Sequence, residues 1–191
     1  GFIDLLIDEL AKQYSINNKR IYATGLSNGA QISYRLACEL SQKIAAIAPV
    51  GGIAPLDKFI KPCNPKRKVP ILHFHGKLDP CVHYDGGECG GCFAKMMQRM
   101  KLHVEEKKWD CDSVPDYIEK WKTIYNISGP TKVIFKTKNT ECKSTGIIEL
   151  CTIANLGHAW PGGSYGPACN RPNSWRCSIT KDILGPRSED I

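Results

Sequence analysis

No stretch of this 191-residue sequence is long and apolar enough to span a membrane. Nor is there a basic stripe interleaved with aromatics. The net charge is +7, but its lysines and arginines are scattered, apart from the short runs Lys66-Arg67-Lys68 and Lys107-Lys108. A nucleic-acid groove is therefore not expected, and the excess charge reads as a solvated basic surface with at most a mild attraction to acidic polysaccharide. Internal repeats are absent. A second close cysteine pair is also missing. Only Cys89 and Cys92 stand close, with no histidine near them in ligand spacing, which argues against a zinc module.

What is present is enough apolar residue to bury a core (42%) and an even number of cysteines, ten. Such cysteine content suits disulfides in an oxidising, extracellular compartment, with the pairing left open. The sequon Asn126-Ile127-Ser128 agrees with secretion. Any leader segment would lie upstream of Gly1-Phe2-Ile3. The length suits one domain over residues 1–191.

Hydrophobic periodicity predicts an amphipathic helix over 2–14, striped by Phe2, Ile3, Leu5, Leu6 and Leu10. Strands are expected at Ile21 onward, over 44–50 and over 69–75, and again over 131–136 and 147–153, the last two joined by a polar Asn139-Thr140 connection. Helices are expected over 31–40, 94–108 and 114–125, the last capped by Asp112 or Ser113 before Pro115. Residues 79–92 and the last forty residues, rich in Gly, Pro and Cys, read as irregular. Helices alternating with buried strands indicate an α/β fold with a mostly parallel sheet flanked by helices.

Chemistry concentrates at Gly25-Leu26-Ser27-Asn28-Gly29, which lies between a strand pattern and a helix pattern. A nucleophilic serine needs this strand–turn–helix context, with glycines where a Cβ would crowd the turn. The N–H of Asn28, at the helix N-terminus, would face a developing oxyanion. A serine hydroxyl also needs a base, and the base needs an orienting carboxylate. Asp79 follows the 69–75 strand by a short turn, and His158 follows the 147–153 strand by another. The order Ser27, Asp79, His158 places all three in loops after strands. Asp57 and Asp85 are the competing carboxylates. Neither follows a strand as closely as Asp79. His73 and His75 alternate along one strand and share a face. The pair could hold a metal, but reads better as strand residues packed beneath a site. His83 and His103 have no evident partners.

Three motifs in order, Gly25-Leu26-Ser27-Asn28-Gly29-Ala30, His75-Gly76-x-x-Asp79 with His83-Tyr84-Asp85-Gly86-Gly87, and Gly157-His158-Ala159-Trp160-Pro161-Gly162-Gly163, resemble the secreted esterases of the polyhydroxybutyrate depolymerase and feruloyl esterase family, which are similar to carbohydrate esterase family 1. The resemblance implies an α/β-hydrolase-like fold with Ser27, Asp79 and His158 as triad and no metal or organic cofactor. It implies ester substrates carried on polysaccharide or polyester, namely feruloyl or acetyl groups of xylan or polyhydroxyalkanoate. Tyr84 and Trp160 are candidate walls of a substrate pocket. The Cys89–Cys92 segment is expected to staple the loop beside Asp79.

The same resemblance implies first strands, and a second oxyanion donor, from residues that would precede Gly1. It reads Ser188-Glu189-Asp190-Ile191 as the start of a last helix. The sheet is then expected to be incomplete at its N-terminal edge unless a second chain or a further segment completes it. Two other functions compete with ester hydrolysis: a non-catalytic, polysaccharide-binding remnant or inactive fragment of such an esterase, and acyl transfer to a sugar in place of water.

Overall fold

Short β-prone stretches pair side by side in parallel, the inner ones more deeply buried than the first. A computed structural model describes residues 1–56, 62–99, 101–103, 105, 108–164, 169–171 and 173–187. Asp57 and the Ser188–Ile191 segment lie outside these residues. A six-stranded sheet runs in the order β1 (Tyr22–Leu26), β2 (Ala46–Val50), β3 (Ile71–Gly76), β8 (Ile148–Ile153), β7 (Thr140–Ser144), β6 (Lys132–Lys136). The first four strands are mutually parallel, and β7 and β6 add an antiparallel extension. Gly87–Cys89 (β4) and Trp109–Cys111 (β5) form a separate two-stranded ribbon.

Five helices accompany these strands among the described residues: α1 (Phe2–Gln13), α2 (Asn28–Glu39), α3 (Gly91–Arg99), α4 (Val114–Ile124) and α5 (Trp175–Leu184). Helices α2 and α4 meet on one face of the sheet through aromatic packing. The Tyr34 ring lies 4.9 Å from Tyr117 and 5.4 Å from Trp121, which in turn meets Tyr125 at 5.3 Å. The cap of α4 is Ser113, whose hydroxyl accepts the Asp116 N–H, with Pro115 in the first turn as expected.

Helix α1 is amphipathic as its sequence predicts, but its stripe does not enter this core. Ile7 packs inward, whereas Phe2, Leu5, Leu6 and Leu10 remain exposed. Lys43 anchors the helix from the polar side through Asp4 at 2.6 Å and Asp8 at 2.5 Å. The neighbouring strand β1 is the sheet edge on that side.

Several elements depart from the sequence reading. The helix expected over 94–108 starts at Gly91 and stops at Arg99. Lys101 adopts φ 59°, and Trp109–Cys111 is extended because it pairs with β4. The connection expected around Asn139-Thr140 is a hairpin leading into β7, and Cys142 stands directly opposite Cys151 across the β7–β8 pair. The irregular C-terminal stretch contains α5, capped by Ser174 through the Cys177 N–H. The cysteines pair as 38–63, 81–92, 89–111, 142–151 and 169–177.

Helix α2 rises off β1 through a close glycine crossing. A Cβ on Gly25 would lie 2.7 Å from the backbone of Gly29, while a Cβ on Gly29 would meet nothing within 4 Å. The two glycines of this motif are therefore unequal. Gly25→Ala should destabilise the protein by about 1–3 kcal/mol in urea denaturation. Gly29→Ala should be neutral or stabilising by up to about 1 kcal/mol, because alanine suits a helix better than glycine. Equal effects of the two substitutions would contradict this crossing.

Candidate active site

Ser27 stands between β1 and α2 with φ 59° and ψ −114°, a backbone conformation that non-glycine residues rarely hold. Such a residue costs about 1–3 kcal/mol and persists only where its surroundings over-determine it. Here the Ser27 N–H donates to Val50 O at 2.9 Å, and Ser27 O accepts the N–H groups of Ala30 and Gln31 at 3.0 and 3.2 Å. Gly52 packs against Ser27 O so closely that no Cβ would fit. The hairpin-tight exit from β1 and the helix start are thus locked from both sides, leaving Ser27 half-buried at the top of the sheet. Asn28 opens α2, where the first N–H groups have no acceptor within the helix.

Asp79 follows β3 and is buried. Its Oδ1 accepts the N–H groups of Cys81 and Val82 at 2.8 and 2.9 Å, and its Oδ2 faces His158 Nδ1 at 2.8 Å. A carboxylate accepts, so Nδ1 of His158 donates and Nε2 is left with its lone pair. His158 is itself buried, in the loop after β8. Its N–H donates to Leu184 O at 2.5 Å, and Gly157 N–H donates to Pro186 O at 2.6 Å. The end of α5 therefore holds the histidine loop, a role that the sequence reading missed because it left this stretch irregular.

Three of the parallel strands, β1, β3 and β8, deliver Ser27, Asp79 and His158 at their C-terminal ends. The turn after the intervening β2 comes close to the Asp79–His158 pair. A Cβ on Gly51 would lie 3.4 Å from Asp79 Oδ2 and 3.6 Å from His158 Nδ1. Such contacts would be ordinary ones, but Gly51 adopts φ 53°, the left-handed region that favours glycine. Among the described residues no hydrogen bond joins Ser27 Oγ to His158 Nε2.

The Cys81–Cys92 disulfide closes the loop that begins at Asp79, and Cys89–Cys111 ties the following ribbon. Asp79, Cys81 and His158 lie close enough to suggest a metal cluster. Cys81 Sγ is bonded to Cys92 and offers no thiolate, so the set lacks its third ligand. Tyr84 packs edge-on to His75, and its hydroxyl bonds Thr152 Oγ1 at 2.9 Å. It lines a cavity of about 440 Å³ with Lys77, Thr140 and Lys143. Trp160 is 43% exposed, two residues beyond His158.

His73 and His75 are fully buried in β3, beneath the Asp79 loop. Burial, reinforced by His75, holds His73 well below the ordinary histidine value of 6.5. Burial also lowers His75, against the opposing pull of Asp79. Tyr34 closes the group from α2, its hydroxyl 2.7 Å from His73 Nδ1, and burial raises it well above the usual tyrosine range.

The pattern of the phospholipase/carboxylesterase family matches residues 2–111 of the chain. Feruloyl esterase B of Piromyces equi is 31% identical over 167 residues, covering 84% of this chain and 28% of that protein. A bifunctional acetylxylan esterase/xylanase of Neocallimastix patriciarum is 34% identical over 83 residues, covering 44% of this chain and 12% of that protein. The chain thus spans well under a third of either relative. An acetyl xylan esterase from Aspergillus awamori superposes with a TM-score of 0.57 at 11% identity, over 82% of this chain and 60% of that one, which is a likeness of fold.

The buried histidines set a pH dependence of stability. The unfolded chain binds protons at His73 and His75 below about pH 6.5, whereas the folded chain binds them only at lower pH, so stability falls as pH drops below 6.5. The slope from each histidine is at most about 1.4 kcal/mol per pH unit. The melting temperature should decline between pH 6.5 and 5, and His73→Phe should make the decline shallower. A melting temperature that stays flat to pH 5 would mean that both histidines are charged in the fold.

Proposed function

The chain belongs to the phospholipase/carboxylesterase family and has an α/β-hydrolase fold, and on that premise we propose that it hydrolyses carboxylic esters through Ser27, His158 and Asp79. The observation that carries this reading is the buried Asp79–His158 hydrogen bond of 2.8 Å, on the same side of the sheet as a serine held at φ 59°. Ser27 Oγ attacks the ester carbonyl while His158 Nε2 takes its proton. Asp79 keeps the proton of the neutral imidazole on Nδ1 and stabilises the cation that forms. The Asn28 N–H donates to the oxyanion. His158 then protonates the departing alcohol, and a water molecule activated by the same nitrogen releases the acid and restores Ser27. The serine and the imidazole close to hydrogen-bonding distance once an ester is bound, as such pairs do.

Esters on plant polysaccharide are the substrate class that the relatives favour, since their names are feruloyl esterase and acetylxylan esterase. The five disulfides support a secreted protein. Trp160 is a wall for a ring-bearing acyl group or sugar. Tyr84 is a second candidate wall, with its ring edge-on to His75 and its hydroxyl engaged by Thr152.

A fluorophosphonate probe tests the nucleophile directly. Wild type should label, and Ser27→Ala and His158→Ala should not. Asp79→Asn should keep the fold and lower turnover by about 10⁴-fold, because the wrong imidazole tautomer is then favoured. Labelling that survives Ser27→Ala would assign the reactive serine elsewhere. Release rates from feruloyl, acetyl and 3-hydroxybutyrate esters then rank the acyl groups, and sugar esters among the products would indicate transfer in place of hydrolysis.

A further inference from the structure

We propose that His75 is a positioning residue: held in one neutral tautomer by the Tyr34–His73 chain, it fixes the Asp79 loop so that Asp79 Oδ2 addresses His158. The proposal rests on reading Asp79 and His158 as the catalytic pair. Tyr34 OH lies 2.7 Å from His73 Nδ1, and His73 Nε2 lies 2.9 Å from His75 Nδ1. His75 Nε2 lies 2.8 Å from Val82 O and 3.5 Å from Asp79 Oδ2. The two imidazoles stack with centroids 5.2 Å apart, and all three side chains are at most 1% exposed.

With both imidazoles neutral, as burial favours, only one arrangement of protons satisfies this chain. A carbonyl oxygen has no proton to give, so His75 must donate from Nε2, and its Nδ1 must accept. His73 then donates from Nε2 and accepts on Nδ1, where the Tyr34 hydroxyl supplies the last proton. Reversing the chain would set the Nε2 lone pair of His75 against the Val82 carbonyl, and a buried acceptor left unpaired costs about 1–3 kcal/mol.

The output of the chain falls on Val82. His75 donates to its carbonyl, and the N–H of the same residue donates to Asp79 Oδ1. The strand β3 and the Asp79 carboxylate thus grip one peptide segment from two directions. A neutral His75 also leaves Oδ2 to His158. A second proton on His75 would set a cation beside Asp79 and compete for that oxygen. The chain prevents this by using Nδ1 of His75 as an acceptor.

Two measurements on the full chain decide the matter. Long-range ¹H–¹⁵N spectra at pH 7 should show His73 and His75 protonated on Nε2 and His158 on Nδ1. A His75 carrying its proton on Nδ1, or on both nitrogens, overturns the proposal. With 4-nitrophenyl acetate as probe substrate, His75→Leu should lower kcat about 10–100-fold with KM within about twofold, the size expected when a catalytic group is displaced by a fraction of an ångström. His75→Gln keeps a donor near Nε2 and should recover kcat to within about threefold of wild type. A folded His75→Leu with wild-type kcat, or a His75→Gln as impaired as His75→Leu, overturns the proposal. Should His75→Leu not fold, His75→Gln and the spectra still decide it.

The underlying catalytic reading fails separately, and visibly, if Ser27→Ala hydrolyses the ester as wild type does. In that event the downfield Nδ1–H signal of His158 remains the readout. It should move upfield in His75→Leu, or in His75→Phe where that variant is the one that folds, and an unmoved signal overturns the positioning role.

Discussion

A carboxylate buried among the ends of parallel strands must have its lone pairs occupied, or the desolvation penalty of several kcal/mol would push it out toward water. Asp79 meets that demand with two backbone N–H groups on Oδ1 and one imidazole on Oδ2. Each partner comes from a different source of order. The two N–H groups belong to a turn closed by the Cys81–Cys92 disulfide, and the imidazole belongs to a loop held by the last residues of α5. Satisfying one buried charge thus joins the loop after β3 to the loop after β8. Ile183 of α5, packed against Cys81 and Cys92, links the two loops a second time through apolar contact.

Glycine sets how closely these parts approach. Gly157 packs against the backbone of Leu184, and Gly76 against that of Leu156, with no room for a Cβ at either place. Gly51 sits against both members of the Asp79–His158 pair. The site is therefore lined by main chain on its β2 side. Two of the disulfides, Cys81–Cys92 and Cys89–Cys111, hold the segment after Asp79. The β4–β5 ribbon has three residue pairs and one disulfide, and a two-stranded ribbon of that size would be marginal alone.

The polar chain under the site has a different origin from the aromatic layer around it. Tyr34 belongs to both. Its ring stacks on Trp121, and its hydroxyl supplies the only proton in the chain that no histidine provides. Tyr34 thereby ties the aromatic layer between α2 and α4 to the histidine chain.

Much of the fold and the residues of the candidate site could be picked out without coordinates, because their signals are local. The serine elbow needs small residues at fixed offsets between a strand and a helix. The four parallel strands show themselves as short, mainly apolar and β-prone stretches, and Asp79 and His158 each fall one short turn after such a stretch. By contrast, β7 alternates Thr140, Cys142 and Ser144 inward. Those residues read as a turn until Cys142 finds Cys151 opposite. Helix α3 stops early because β5 is claimed by β4, and α5 owes its place to contacts with the His158 loop. Chain order and residue type determined the candidates for nucleophile, base and orienting carboxylate and the parallel sheet beneath them. Tertiary structure alone decided the cysteine pairing, the backbone acceptors that hold His158 and the proton order along Tyr34, His73 and His75, since each depends on partners distant in sequence whose approach only the completed packing sets.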